Sequence, residues 1–354
     1  MAITIKDVAN AASVSDTTVS FVLKDDPRVT DYTKKIVLDK IQELGYRPHK
    51  IAKGLRLSRT NILALFLPEI GNQFVKEIFK GVEDYATQKG YNIIISTTHY
   101  EDEKRTERFL DQLGHGLVDG LIFLPIPAQD CSEEISRIKE WIEEKIPLVL
   151  IDMYFNEVET NFVVTNNIEG GYMATKHLIQ QGHKSIAFIS DIPSSSVSDR
   201  FEGYKKALNE HGVLLDNKLI VNNEFSAEKL GLDGMKKAGY ESMKKLLTLP
   251  YTILPTAIFG VNDIIAIGAF NAIKDAGLRV PEDFALVGYD GSEYLEVSLT
   301  SVRQPLRLMG EIASRILIEE IENGNGKKKG FRKVYLKSEL VVRDSSLSIS
   351  KQIK

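Results

Sequence analysis

The chain has 354 residues, 43% of them hydrophobic and 27% charged, with a net charge of −4. That is the composition of a soluble globular protein, and the length exceeds one ordinary core, so two or three domains are expected. No apolar run reaches the ~18 residues of a membrane span, Met1 to Ala12 lacks the apolar stretch of a secretory signal, and the single Cys131 excludes an internal disulfide or a cysteine-based metal site; the expectation is a reducing cytoplasm and no membrane contact.

The charge is unevenly spread. Residues 1–60 hold 11 Lys and Arg against 7 Asp and Glu, a head of +4 on a body of −8. A basic head suits contact with nucleic acid, although ordinary scatter of surface charge gives the same count. Thr4 is placed to cap a helix from about Ile5 to Ala12, with Asp7 three residues on. Ser15 is placed to cap a second, from about Asp16 to Lys24. Only Ser13-Val14-Ser15 separates them, the pattern of a helix-turn-helix. A third helix follows Thr30, runs to about Leu44 and stops at Gly45. Val8, Ala9, Val14, Val19, Val22, Ile36, Val37, Ile41 and Leu44 recur at helical spacing and predict one small shared core.

Pro48 marks a break. The stretch 51–57 has helical residues but almost no face to bury, so it reads as a linker or as a helix that forms only against a partner. From Asn61 the pattern becomes apolar runs alternating with amphipathic helices. Strands are expected at 62–67, 91–95, 119–124, 147–151, 162–165, 185–190, 256–260 and 284–289, with helices such as Phe74–Lys89 and Gly170–Gln181 between them. Apolar strands without alternation, separated by helices, imply parallel sheets covered on both faces. An echo of Gln88-Lys89-Gly90-Tyr91 in Gln181-Gly182-His183-Lys184, each ending a long helix before a strand, suggests two similar lobes. A ligand would then sit in the cleft between them, at the carboxyl ends of the strands.

Several stretches are familiar together. TIKDVANAASVSDTTVSFVL (4–23) resembles the head of the lac-repressor (LacI/GalR) family. The resemblance continues through ELGYRPHKIAKGLR (43–56), VDGLIFLP (118–125), GHKSIAFIS (182–190), PTAIFGVND (255–263), LVGYDG (286–291), LTSVRQP (299–305) and LVVRDSS (340–346), in the family's order over almost the whole chain. It implies an α/β protein: an all-α helix-turn-helix head at 1–46, a hinge helix and linker at 47–60, and a two-lobed periplasmic-binding-protein-like core of parallel sheets at 61–345. The lobes are expected at about 61–161 with 292–323, and about 162–291 with 324–345, leaving a tail at 346–354.

In such a head the second helix enters the major groove. Asp16, Thr17 and Phe21 would face base edges, with Thr4, Ser15, Thr18 and Ser20 nearer the phosphates. Phe21 stands where the family often has arginine; a ring has no donor fork for guanine but contacts a thymine methyl. Leu55 matches the leucine that the family wedges into the minor groove, and Lys50, Lys53, Arg56 and Arg59 would meet phosphates. In the core, the family's motifs assign Phe74, Asp152, Asn166, Arg200, Phe225, Asn262 and Asp290 to a small effector, with the hydroxyls of Ser194, Ser195 and Ser196 nearby. Arginine and aspartate holding neighbouring hydroxyls, with a flat ring on the C–H face, suit a sugar. Capping of helices by Asn262 or Asp263 and a surface ion pair at Arg200 are the structural alternatives. Two heads on a pseudo-palindromic operator imply a homodimer.

The enzyme alternative finds no support. There is no G-x-G-x-x-G after a strand, no G-x-x-x-x-G-K-[ST] and no G-x-S-x-G. GNGKKKG (324–330) lacks phosphate-loop spacing, and the six histidines form no metal-ligand pattern. No cofactor or metal is expected. The other alternative, a sugar-binding protein without a DNA role, leaves residues 1–60 unexplained.

Overall fold

The structure is a computed structural model, described for residues 3–23, 25–46, 59–68, 71, 73–97, 117–126, 130–222, 231–293, 297–324 and 330–347. It divides into two compact units, Met1–Asn61 and Ile62–Lys354.

The first unit holds three helices, α1 (Ile5–Ala11), α2 (Asp16–Val22) and α3 (Asp31–Leu44). Their starts follow from side-chain chemistry. Thr4 and Asp7 form a reciprocal capping box: the Thr4 main-chain N–H donates to Asp7 Oδ2 at 2.7 Å, and the Asp7 N–H donates to Thr4 Oγ1 at 3.4 Å. Ser15 Oγ accepts from the Thr18 N–H at 3.1 Å, and Thr30 Oγ1 from the Thr33 N–H at 3.3 Å. Gly45 ends α3 in the left-handed region, at φ +62°. Between α1 and α2, Ser13 also takes a positive φ, 53°, which makes the turn tight at some conformational cost for a residue with a Cβ. Val8, Ala9, Ala12, Val19, Val22 and Val37 are buried together, and Val14, Ile36, Ile41 and Leu44 pack against them, as the spacing predicts.

The second unit carries two sheets. In chain order its elements are β1 (Ile62–Leu67), α4 (Gln73–Gln88), β2 (Asn92–Thr97), β3 (Gly120–Phe123), α5 (Ser132–Glu143), β4 (Leu148–Ile151), β5 (Asn161–Thr165), α6 (Asn167–Gln180), β6 (Ile186–Ser190), α7 (Ser195–Glu210), β7 (Ile220–Asn222), α8 (Leu232–Leu247), β8 (Ala257–Gly260), α9 (Asp263–Asp275), β9 (Ala285–Asp290), β10 (Thr300–Arg303), α10 (Leu306–Asn323), β11 (Lys333–Leu336) and β12 (Glu339–Val341). The first sheet has the order β11-β5-β4-β3-β1-β2 and is parallel throughout; the second is β12-β10-β9-β8-β6-β7, parallel except for the antiparallel β12. β1 shows why its residues run apolar without a break. Leu63, Leu65 and Leu67 feed the core under α4 and α10, while Ala64 and Phe66 feed the opposite core around Trp141.

Strand pairing corrects the expected division into lobes. Residues 162–165 pair with β4 and β11 in the first sheet, although they were expected in the second lobe. β10, expected in the first lobe, pairs with β9 in the second sheet. The segment 324–345 is split, with β11 in one sheet and β12 in the other. The chain therefore crosses between lobes at 165–167, 303–306 and 336–339. Apolar periodicity reports that a strand is buried and says nothing about which sheet supplies its neighbours. The short strands β7, β10, β11 and β12 escape a reading based on apolar runs, having only three or four residues each and polar members such as Lys333 and Glu339.

One helix pair sets up the site. Gly171 of α6 faces the main chain of Arg200 in α7, and Gly203 of α7 faces the Ile168 carbonyl in α6; a Cβ at either position would collide with backbone. The two helices thus touch main chain to main chain, which fixes the backbone that carries Arg200.

Candidate functional site

A cavity of about 970 Å³ opens between the carboxyl ends of the two sheets, bordered by Pro68, Phe74, Leu124, Pro125 and Asp152 of the first lobe and by Asp191, Ser194, Ser196, Arg200, Asn262 and Asp290 of the second. Each sheet has its topological switch point there. The chain leaves β1 for β2 on one side and leaves β3 for β4 on the other, and in the second sheet β6 leads to β7 on one side while β8 leads to β9 on the other. Diverging connections leave a crevice above such a strand pair, and side chains at the strand ends line it.

Arg200 is the fixed point of this site. Its side chain is buried, its Nε donates to Asn167 Oδ1 at 2.8 Å, and an Nη donates to the Val261 carbonyl at 2.8 Å. The guanidinium carbon lies 3.8 Å from the centroid of the Tyr289 ring, so the planar fork is stacked on one face and tied along its edge. The surface ion pair considered from the sequence is therefore excluded for Arg200.

Three carboxylates accompany it. Asp290 ends β9 with φ +120°, and Asp152 follows β4 with φ +71°, so both hold backbone conformations that L-residues rarely adopt. Burial raises the Asp290 pKa well above the ordinary carboxylate value, the Arg200 charge opposes this, and nearby Asp263 adds to it. Gln304 steadies Asp290 by donating from Nε2 to Oδ1 at 2.9 Å, and accepts from Thr165 Oγ1 at 2.8 Å. Burial also raises Asp152, again opposed by Arg200, and its Oδ1 is buried without a hydrogen-bond partner among the described residues. Asp191, just beyond β6, is pushed up to about 6, first by burial, with its own backbone and Arg200 pulling the other way. A cleft bearing buried acceptors and one immobilised cation favours a ligand rich in hydroxyl donors, because each carboxylate regains a hydrogen bond lost with water.

The residues expected from sequence divide as follows. Phe74, Asp152, Arg200, Asn262 and Asp290 are brought to the cavity. Asn262 also caps α9, its Oδ1 accepting from the Ile265 N–H at 2.8 Å. Asn166 is a correction. It is exposed and caps α6 by accepting from the Glu169 N–H at 3.1 Å, while the buried Asn167 beside it receives Arg200. One step along a helix start turns a side chain by about 100°, enough to leave Asn166 exposed and Asn167 buried. Phe225 lies outside the described residues. The three serine hydroxyls are already engaged: Ser194 caps α7, Ser195 Oγ accepts from the Tyr154 N–H at 2.9 Å, and Ser196 donates to the Asp152 carbonyl. The last two bonds join the first lobe to the second. Asp191, Asn167 and Gln304 were missed; Asp191 had a signal, since it follows an apolar strand as directly as Asp290 does.

In the head, Thr4, Ser15, Asp16 and Thr17 are exposed, and Thr18, Ser20 and Phe21 are partly so, while Val19 and Val22 point into the core. Thr4 Oγ1 donates to Asp7 Oδ2 at 2.7 Å, and Thr18 Oγ1 shares a hydrogen bond with Ser15 Oγ at 2.9 Å. Lys50, Lys53, Leu55 and Arg56 lie outside the described residues. Among the described residues no helix is long and apolar enough to cross a membrane, and no cluster of three or more His, Cys, Asp or Glu could hold a metal ion.

A short three-helix head joined to two parallel sheets around a polar cleft defines a ligand-responsive DNA-binding regulator. The family model described as bacterial regulatory proteins, lacI family, matches residues 4–49, and that for a periplasmic binding protein-like domain matches residues 175–346. The chain is 35% identical over 350 residues to the HTH-type transcriptional regulator DegA of Bacillus subtilis (strain 168), covering 98% of each chain. The lac repressor dimer bound to operator and the anti-inducer ONPF aligns with a TM-score of 0.79 at 25% identity, covering 98% of this chain and 100% of that one. The transcriptional regulator CelR in complex with cellobiose aligns with a TM-score of 0.69 at 29% identity, covering 97% and 99%. The chain belongs to the LacI family: it is a transcriptional regulator with a DNA-binding domain and an effector-binding domain, and its relatives are regulators, not enzymes.

Proposed function

We propose that this regulator is a cytoplasmic repressor that binds a pseudo-palindromic operator as a homodimer and is switched by a sugar or sugar derivative held between its lobes. The observation that carries the effector class is the pinned Arg200 fork facing Asp152, Asp191 and Asp290 across one cavity, with Phe74 on its wall. Arginine and carboxylates bind vicinal hydroxyls in two-pronged fashion, and an aromatic ring covers the apolar face of a pyranose. The similarity to a cellobiose-bound regulator and to an operator-bound dimer supports the same reading.

Residues 1–46 are the reading head, 47–60 the hinge and 61–345 the core. Asp16, Thr17, Thr18 and Ser20 on or beside the reading helix contact operator, with Leu55 wedged into the minor groove and Lys50, Lys53 and Arg56 on phosphates. An effector that touches both lobes favours the arrangement in which both sets of contacts are made. In a dimer, closure resets the spacing of the two hinges, and operator affinity changes by the differential affinity of the effector for the two arrangements.

The test is thermal unfolding against sugars, sugar phosphates and purines, followed by operator binding with and without any stabilising compound. A ligand at a hundred times its Kd adds about 2.7 kcal/mol to the unit it binds. A shift with a sugar that also changes operator affinity supports the proposal. A shift confined to purines, or a sugar that stabilises the core without altering operator affinity, overturns the effector class or the coupling.

A further inference from the structure

The reading helix α2 carries an arrangement that the sequence pattern does not show. Arg28, in the connection between α2 and α3, folds back so that its guanidinium carbon stands 4.3 Å from the centroid of the Phe21 ring. Asp26 grips the same group along one edge, accepting from Nε at 2.9 Å and from Nη2 at 2.7 Å, and it also accepts from the Arg28 main-chain N–H at 3.0 Å. Nη1 makes no bond among the described residues. The Arg28 side chain is nonetheless 69% exposed. A long, flexible cation on a protein surface is ordinarily averaged over many rotamers; this one is held on its face by a ring and on its edge by a carboxylate.

The direction of that restraint matters. Thr17 and Phe21 are one helical turn apart and share a face of α2, while Val19 and Val22 point into the core. The guanidinium therefore sits beside the face that carries Thr17. Phe21 is near the carboxyl end of α2. The amino-terminal residues of a reading helix meet base edges, so a cation beside the far end of that face is placed toward the strand that borders the groove. With its ring covered by Arg28, Phe21 is poorly free to lie on a thymine methyl.

We infer that Arg28 is a contact to the DNA backbone and that Phe21 is its positioning residue, not a reader of a thymine methyl. This rests on α2 being the helix that faces the groove. It restores, from the turn, an arginine at the interface that α2 itself lacks at position 21, with phosphate in place of guanine as its target. Arg28 then contributes affinity without sequence preference, and sequence reading falls to the other exposed positions of α2.

The experiment uses the full-length protein and a duplex recovered with it by selection from a random pool. Affinity is measured across a salt series for the wild type, Arg28→Ala, Phe21→Leu, Phe21→Trp, the double variant and Thr17→Ala. Each lost phosphate contact lowers the slope of log K against log salt by about 0.9. Arg28→Ala is expected to lower it by that amount and to weaken all duplexes by a similar factor. Phe21→Leu is expected to lower it part of the way, Phe21→Trp to keep it, and the double variant to match Arg28→Ala alone. Replacing thymine by uracil in the duplex is expected to affect wild type and Phe21→Leu equally. An unchanged slope in Arg28→Ala overturns the inference, as does a Phe21→Leu protein with normal slope that no longer distinguishes thymine from uracil. If Thr17→Ala weakens binding while Arg28→Ala does not, only this inference fails; if neither does, the reading of α2 fails with it.

Discussion

Asp191 offers a test of how the cleft trades stability for binding. It is 7% exposed, it directly follows the switch-point strand β6 of the second sheet, and burial pushes its carboxyl up to about 6 from an ordinary 3.8. Asp191→Asn keeps the shape and removes the charge. The folded-state pKa lies above the unfolded value, so the folded state holds the proton more tightly. Wild-type stability is then fullest below about pH 4, falls as pH rises toward 6, and stays reduced above it. At about 1.4 kcal/mol per pH unit, a rise from 3.8 to about 6 corresponds to about 3 kcal/mol, an upper figure for the penalty at neutral pH. The asparagine variant escapes it. Thermal unfolding without ligand should show the variant several degrees more stable than wild type at pH 7.5, with roughly 10 °C as the ceiling for a unit of this size, and nearly equal to it at pH 4. The same variant should respond more weakly to effector, since a ligand hydroxyl loses its charged acceptor. No gain at pH 7.5, or an equal gain at both pH values, would refute the reasoning.

Three further outcomes are expected. Asp290→Ala should abolish the effector-dependent change in operator binding and leave operator affinity without effector intact, as read by gel shift with and without the ligand found in the thermal screen. Gly203→Ala should destabilise the core by about 1–3 kcal/mol in urea unfolding, because its Cβ meets the Ile168 carbonyl and α7 must move off α6; effector affinity should fall with it, since α7 carries Arg200. Leu55→Ala should weaken binding to the selected operator far more than to unrelated duplex, and an equal loss on both would remove the minor-groove wedge.

The head was readable almost residue by residue. Thr4, Ser15 and Thr30 cap the helices they precede, Gly45 closes the third, and the apolar positions at helical spacing form the core. Capping and amphipathicity act within four residues, so sequence neighbours are enough to decide them. The cleft was readable only in part. The resemblance assigns Arg200, Asp152 and Asp290 to the effector, and the structure brings them to one cavity; it also assigns Asn166, whereas the neighbouring Asn167 is the residue that meets Arg200. The serine run is expected only near the ligand, and in the structure its hydroxyls cap α7 and tie the lobes together. In each case the direction of the polar side chain is set by a backbone angle or a distant acceptor.

The limit of local reading is clearest at the crossings between lobes. The apolar run 162–165 announces a buried strand, yet only its ladder with β4 and β11 places it in the first sheet, and β11 lies about 170 residues further along the chain. The cradle of Arg200 is assembled likewise from Asn167, Val261 and Tyr289, which lie far apart in sequence. Secondary structure and the identity of its caps follow from interactions between near neighbours, which the order of residues already contains. Lobe membership, the direction of each polar side chain and the raised proton affinities of the cleft carboxylates depend on burial and on partners chosen by packing, and these exist only once the sheets have closed around their cores.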